Sequence, residues 1–170
     1  PNGIIAVAGE ARFEPTRELD IEAEVGWVIG VGSERGIPIP IEDVADHVAG
    51  LCLVNDWSAR DIQAYEYQPL GPLLGKSFAT SVSPWLVSLD ALAPYRVDPP
   101  PQDPPVSQYL RSDRPWGFDL YLEVWLESVA MRSRGIAPVC VSRPPFAEMY
   151  WTPAQQLAQR KMTVRTERGR

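Results

Sequence analysis

The chain has 170 residues, 22 acidic and 16 basic, with a formal charge of −6 and a pI near 4.8, a balance that argues against a nucleic-acid or anionic-membrane partner. Hydrophobic residues make up 45%, ordinary for a globular chain of about one domain's length and too many for a disordered one. No apolar run approaches the roughly 20 residues that span a bilayer, and Pro1-Asn2-Gly3 opens no targeting stretch, so the cytoplasm is the expected location.

The predicted elements form a mixed α/β, β-rich chain. Residues 19–30 alternate, with Ile21, Ala23 and Val25 on one face and Asp20, Glu22 and Glu24 on the other; that is a strand pattern. Residues 41–49 read as a short helix closed by Gly50 at its C′ position. Residues 51–54 read as a buried strand. Ser58-Ala59-Arg60-Asp61 reads as an N-cap opening a short helix. Residues 84–89 are a further candidate strand. Seven prolines fall within residues 94–115, which predicts an extended surface loop rather than helix or central strand. The clearest strand pattern covers 118–126, where Phe118, Leu120, Leu122, Val124 and Leu126 alternate with polar or aromatic residues. Thr152-Pro153-Ala154-Gln155 is a capping-box start with Pro at N1, leading into a helix through Leu157. Residues 160–170 hold five basic residues against one acid, Glu167, and read as a solvated basic tail.

Few residues can carry chemistry. The only histidine is His47, which excludes His-rich zinc sites and leaves a serine triad a single possible base; beside Val44 and Val48 it reads as structural. Cys52 and Cys140 belong to no CxxC or Cys/His cluster and read as free thiols. Glu22 and Glu24, at i and i+2 of a strand, share a face about 7 Å apart along the chain. They are either an exposed acidic face or part of a hard-cation site, since Mg²⁺ and Ca²⁺ take carboxylate oxygens. Asp56 follows an apolar strand and precedes a helix, a junction that suits a ligand as well as an acidic turn. Arg60 and Asp61 read as local capping or pairing residues. Lys76, one of two lysines with Lys161, lies in a Gly/Pro-framed stretch; it is either a surface lysine or an anion clamp. Gly75-Lys76-Ser77 is not a P-loop end, because Leu70 stands where the first glycine belongs.

Taken together, Glu22-Ala23-Glu24, Asn55-Asp56-Trp57-Ser58-Ala59-Arg60-Asp61-Ile62-Gln63, Tyr65-Glu66-Tyr67-Gln68-Pro69-Leu70-Gly71-Pro72, Gly75-Lys76-Ser77-Phe78, Ser83-Pro84-Trp85 and Met149-Tyr150-Trp151-Thr152 resemble the fumarylacetoacetase family over residues 19–157. The resemblance implies a β-roll catalytic domain that hydrolyses the C–C bond of 4-fumarylacetoacetate to fumarate and acetoacetate, the last step of tyrosine and phenylalanine breakdown. It implies Mg²⁺ or Ca²⁺ bound by Glu22, Glu24 and Asp56, with Lys76 and Thr80 lining the metal and Lys76 acting electrostatically. It implies Gln63 and Tyr67 as substrate contacts, a diketo acid as the small-molecule partner, and a homodimer. The family takes a fourth metal-binding Asp, a general-base His and further Tyr and Arg contacts from a segment before the Glu-x-Glu strand, and nothing in residues 1–17 matches them. It continues beyond Leu157 into stretches that residues 160–170 do not match. The resemblance therefore implies a catalytic domain incomplete at both ends. Alternatives are an acylpyruvate-type hydrolase of the same superfamily, or a non-catalytic remnant that binds a divalent cation.

Overall fold

The computed structural model describes residues 1–34 and 36–159. Its strands, in chain order, are β1 (Asn2–Val7), β2 (Glu10–Pro15), β3 (Leu19–Asp20), β4 (Ala23–Ile29), β5 (Val48–Asp56), β6 (Ser58–Ala59), β7 (Thr80–Val82), β8 (Arg96–Val97), β9 (Gly117–Phe118), β10 (Val124–Leu126) and β11 (Val139–Ser142). The α-helices are α1 (Val44–His47), α2 (Arg60–Glu66), α3 (Leu74–Ser77), α4 (Leu89–Leu92), α5 (Val129–Ser133) and α6 (Pro153–Gln159). The strands pair as β1-β2, β3-β6, β8-β9, β10-β11 and the three-stranded β4-β5-β7. The mixed, sheet-rich α/β expectation holds.

The chain divides into two compact units. The first comprises Pro1–Gly26 and Cys52–Trp85, the second Trp27–Leu51 and the described residues from Leu86 onward.

In the first unit, β1 and β2 form an antiparallel hairpin. Ile5 of β1 packs with Ala59 and Ile62, flanked by Val7 and Phe78. Ile62 lies on the inner side of α2 and is wholly buried. A side chain on Gly3 would sit 2.7 Å from it, so glycine lets helix and strand approach. Asp61 ties the same helix to the end of the hairpin, accepting from the Thr16 hydroxyl at 2.5 Å and the Arg17 amide at 2.8 Å.

The second unit buries Trp116, Phe118, Leu110, Val44 and Ile41. Arg96 lies over the Trp116 and Phe118 rings at 4.7 and 5.2 Å, within range of an attraction between the guanidinium and the ring faces. The α6 start is a capping box as read: Gln155 N–H donates to Thr152 Oγ1 at 3.3 Å, and Thr152 N–H to Gln155 Oε1 at 2.9 Å.

Several sequence expectations are corrected. The 41–49 helix is a 3-10 turn, Ile41–Asp43, followed by α1, and the chain is already strand at Val48. Gly50 is therefore no helix cap; it lies in β5, where a Cβ would meet the Val87 carbonyl oxygen at 2.4 Å. The 51–54 strand extends over all of β5, and Leu53 is exposed. Ser58 caps nothing: the N-cap of α2 is Ala59, and Ser58 belongs to β6. The 84–89 strand reduces to a bridge between Leu51 and Val87, with α4 beginning at Leu89. The 118–126 strand splits into β9 and β10, joined by a stretch whose only ladder contact is Tyr121 with Pro145. Burial still alternates through it, so the facing of the side chains was legible and the interrupted hydrogen bonding was not. Residues 94–115 are not a bare surface loop: β8 pairs with β9, and Leu110 is buried. The basic tail, 160–170, lies outside the described residues.

Candidate active site

A short pairing and the change of ladder that follows it position the site. β3 pairs with β6, setting Leu19 opposite Ala59 and Asp20 opposite Ser58. The chain then leaves that ladder and joins β5 as β4. Glu22 sits at the crossover, outside both strands. Its amide donates to the Asn55 side chain at 3.0 Å, and its carbonyl accepts from the Asp56 amide at 3.2 Å. These two bonds to its backbone fix Glu22 beside the end of β5, with its carboxylate near that of Asp56.

Glu22, Glu24 and Asp56 each place a carboxylate oxygen within 4.8 Å of the others. At that spacing each like-charge pair costs on the order of 3 kcal/mol at an effective dielectric of about 20. Two cations offset this. The Lys76 ammonium reaches Glu22 Oε2 at 2.5 Å and Asp56 Oδ2 at 2.9 Å, and donates to the Ser58 hydroxyl at 2.8 Å. The Arg60 guanidinium meets Glu22 Oε1 at 3.0 Å and Asp20 Oδ2 at 2.8 Å. Closer contact decides which carboxylate benefits. The hydrogen bond from Lys76 holds Glu22 below the usual carboxylate range, against its desolvation. Glu24, the exposed member of the three, touches neither cation in this way; partial desolvation of its carboxylate and the charges of Asp56 and Glu22 push it up. Burial opposes the charge on Lys76, but its hydrogen bonds to Glu22 and Asp56 prevail and raise it.

The other expected residues gather on the same unit. Thr80 begins β7 and pairs directly with Asp56 across the β5-β7 ladder, so the two side chains share a face. Gln63 lies on α2, its Oε1 accepting from Arg60 Nη1 at 3.0 Å. Tyr67 closes α2 and is 61% exposed. Lys76 is no surface lysine: only 18% of its side chain is exposed. His47 belongs to the second unit, with Nδ1 2.8 Å from the Val31 carbonyl oxygen, in keeping with its structural reading. Cys52 and Cys140 are free thiols.

Sequence reasoning missed three members of this network. Ser58 read as a helix cap, because nothing in the sequence tells a capping serine from one that faces a lysine 18 residues later. Arg60 read as a local pairing residue, yet it spans Asp20 and Glu22. Glu66 carried no signal at all, though its carboxylate accepts from the amides of Leu73, Leu74 and Gly75 at 2.8, 3.0 and 3.0 Å.

The donor set is all oxygen, anionic and closely spaced, which is the chemistry Mg²⁺ and Ca²⁺ accept. The residues therefore fit a hard divalent cation. No helix among the described residues is long and apolar enough to cross a membrane.

The family profile described as "Fumarylacetoacetate (FAA) hydrolase C-terminal" matches residues 3–169. The Arabidopsis thaliana fumarylacetoacetase is 49% identical over 150 residues, covering 88% of this chain and 34% of that protein. The Homo sapiens fumarylacetoacetase is 50% identical over 139 residues, covering 82% of this chain and 32% of that protein. The chain thus spans about a third of the length of these relatives. Among solved structures, Cg1458 superposes with a TM-score of 0.61 at 16% identity, covering 88% of this chain and 46% of that one; this likeness concerns the fold alone.

Proposed function

The chain belongs to the fumarylacetoacetate hydrolase C-terminal family, and from that premise we propose that it hydrolyses the C–C bond of 4-fumarylacetoacetate in a reaction that depends on a divalent cation. The observation that carries this reading is the cluster of Glu22, Glu24 and Asp56 with the Lys76 ammonium set between two of its carboxylates. Glu22, Glu24 and Asp56 would hold Mg²⁺ or Ca²⁺, with Lys76 and Thr80 beside them. Bound there, such a cation supplies Lewis-acid polarisation of carbonyl oxygens.

The chain's own residues supply the rest. The hydroxyl of a water molecule joins the acyl carbon that becomes fumarate. The C–C electron pair departs with the other fragment and takes up a proton to give acetoacetate. Negative charge therefore develops first on an oxygen and then on the leaving group. Lys76 and Arg60 offer fixed positive charge held in place by Glu22, Asp20 and Asp56, so little reorganisation is needed as that charge appears. Gln63 on α2 and Tyr67, its C-terminal cap residue one turn later, offer an amide and a phenol for the diketo acid to contact.

The test is loss of fumarylacetoacetate in the presence of the 170-residue chain with Mg²⁺ or Ca²⁺, repeated after chelation, alongside acylpyruvates as competing substrates. Cation-dependent turnover that prefers fumarylacetoacetate is expected. A folded chain that binds the cation in calorimetry but turns over nothing would overturn the hydrolase reading for this chain. A preference for acylpyruvates would replace the substrate.

A further inference from the structure

Lys76 rides on α3, a single turn of four residues. So short a helix has no stability of its own, and its first amides need acceptors. The residue at its N-cap is Leu73, which has no side-chain acceptor, and no side-chain cap is made there. Pro69 and Pro72 in the preceding loop cannot donate backbone hydrogen bonds, and Gly71 takes a positive φ of 87°. The loop's own backbone bonds run from the Gly71 amide to the Tyr67 carbonyl at 3.1 Å and from the Lys76 amide to the Leu73 carbonyl at 3.3 Å, so the Leu73, Leu74 and Gly75 amides need an acceptor from elsewhere.

Glu66 meets that need from the last residue of α2. Its Oε2 accepts from the Leu73 and Gly75 amides and its Oε1 from the Leu74 amide. Burial opposes its ionisation, but these three donors prevail and lower its pKa. A second anchor lies beside the first: Gly75 abuts α2 so closely that a Cβ would sit 2.7 Å from Gln63 N and 2.9 Å from its Cα. The turn is thus held to α2 at two points, and α2 also carries Gln63.

We propose that Glu66 is a positioning residue for the active site: it caps the α3 turn from a distance and so holds the Lys76 ammonium at Glu22, Asp56 and Ser58. Glu66 touches none of the reacting groups and acts through Lys76 alone. Its effect on turnover rests on the hydrolase reading; its effect on the placement of Lys76 does not.

Glu66→Gln is the main variant. It keeps the size of the side chain but leaves one acceptor oxygen and sets an amide NH2 group against backbone donors. Glu66→Asp keeps the charge and shortens the reach. Lys76 and Lys161 are the only lysines, so brief acylation with acetic anhydride, read by peptide mass spectrometry, gives the reactivity of Lys76 with Lys161 as internal reference. The Lys76/Lys161 ratio should rise about fivefold in Glu66→Gln, the factor that corresponds to losing one cap, and less in Glu66→Asp. In the active chain, kcat should fall about tenfold with KM within about twofold, because a displaced charge weakens the transition state more than the bound substrate. An unchanged labelling ratio in folded Glu66→Gln overturns the proposal. So does a rise in KM at constant kcat, which marks a role in substrate binding instead. If the unsubstituted chain shows no turnover, the hydrolase reading fails while the labelling ratio still decides the role of Glu66.

Discussion

Lys76 is the residue on which the acidic cluster depends. Its ammonium is set against Glu22, Asp56 and Ser58, and it is the nearest compensation for three carboxylates within 4.8 Å of one another. Lys76→Met keeps the length of the stem and removes the charge. Stripping the partner from a fully buried ion pair costs several kcal/mol, but these groups are 18–29% exposed, so a cost of about 1–3 kcal/mol is expected after screening. The sharper expectation concerns rescue. In chelated buffer the variant should melt below the unsubstituted chain, and Mg²⁺ or Ca²⁺ should raise its melting temperature by more than it raises that of the unsubstituted chain, because the cation then replaces the missing ammonium. Equal gains, read by scanning calorimetry, would mean that the ammonium and the cation do not compensate the same charge, and no gain in either protein would mean that the three carboxylates do not share a cation.

At the scale of elements, what the sequence reveals depends on the range of the interaction. The capping box of α6 is legible because donor and acceptor lie three residues apart. Gln155 then does more than its motif requires: buried at 5% exposure, it also donates to the Leu110 carbonyl at 3.0 Å and exchanges hydrogen bonds with Gln102. Gln155→Ala removes the cap and strands buried partners as well, so a loss of about 2–4 kcal/mol is expected. Thr152→Ala, which loses only the cap, should cost about 1 kcal/mol. Chemical denaturation tests the order of the two, and equal costs would deny the buried network any weight. Glu22, Glu24, Asp56 and Lys76 are legible by residue type and by their strand and loop context. The change of ladder between β3 and β4 is not, because the alternation through residues 20–25 gives no sign that the chain changes partners between Asp20 and Ala23. Gly50 misleads for a similar reason. A glycine after an apolar helical pattern resembles a cap, yet its actual constraint is the Val87 carbonyl across the sheet, a contact 37 residues away in sequence.

At the scale of the whole molecule, net charge and the site combine in the response to pH. The carboxylates of Glu22, Asp61 and Glu66 titrate below their ordinary range. For Glu22 the Lys76 hydrogen bond leads; desolvation is outweighed at Asp61 by backbone amides and the Thr16 hydroxyl, and at Glu66 by the amides of Leu73, Leu74 and Gly75. A lowered folded pKa contributes stability that is full above the unfolded value, about 4, and is lost as pH falls through the folded one. The chain should therefore lose melting temperature steeply below about pH 4. Glu24 runs the other way. Its folded pKa is raised by partial desolvation of its carboxylate and by the charges of Asp56 and Glu22, so its favourable contribution belongs to the protonated form, is complete below the unfolded value of about 4.3, and is lost as pH rises through the folded one. At neutral pH without a divalent cation, ionised Glu24 works against the fold of a chain already carrying −6. Glu24→Gln should therefore be the more stable protein at pH 7 in chelated buffer, with the advantage shrinking to nothing toward pH 4 as the native glutamate takes up its proton. Adding Mg²⁺ or Ca²⁺ at pH 7 should reverse the order, because only the glutamate gains a partner. Melting curves from pH 3 to 8, with and without the cation, decide it. A Glu24→Gln protein less stable than its parent at pH 7 without cation would show that Glu24 is already satisfied within the chain, and a cation would then have no electrostatic vacancy to fill.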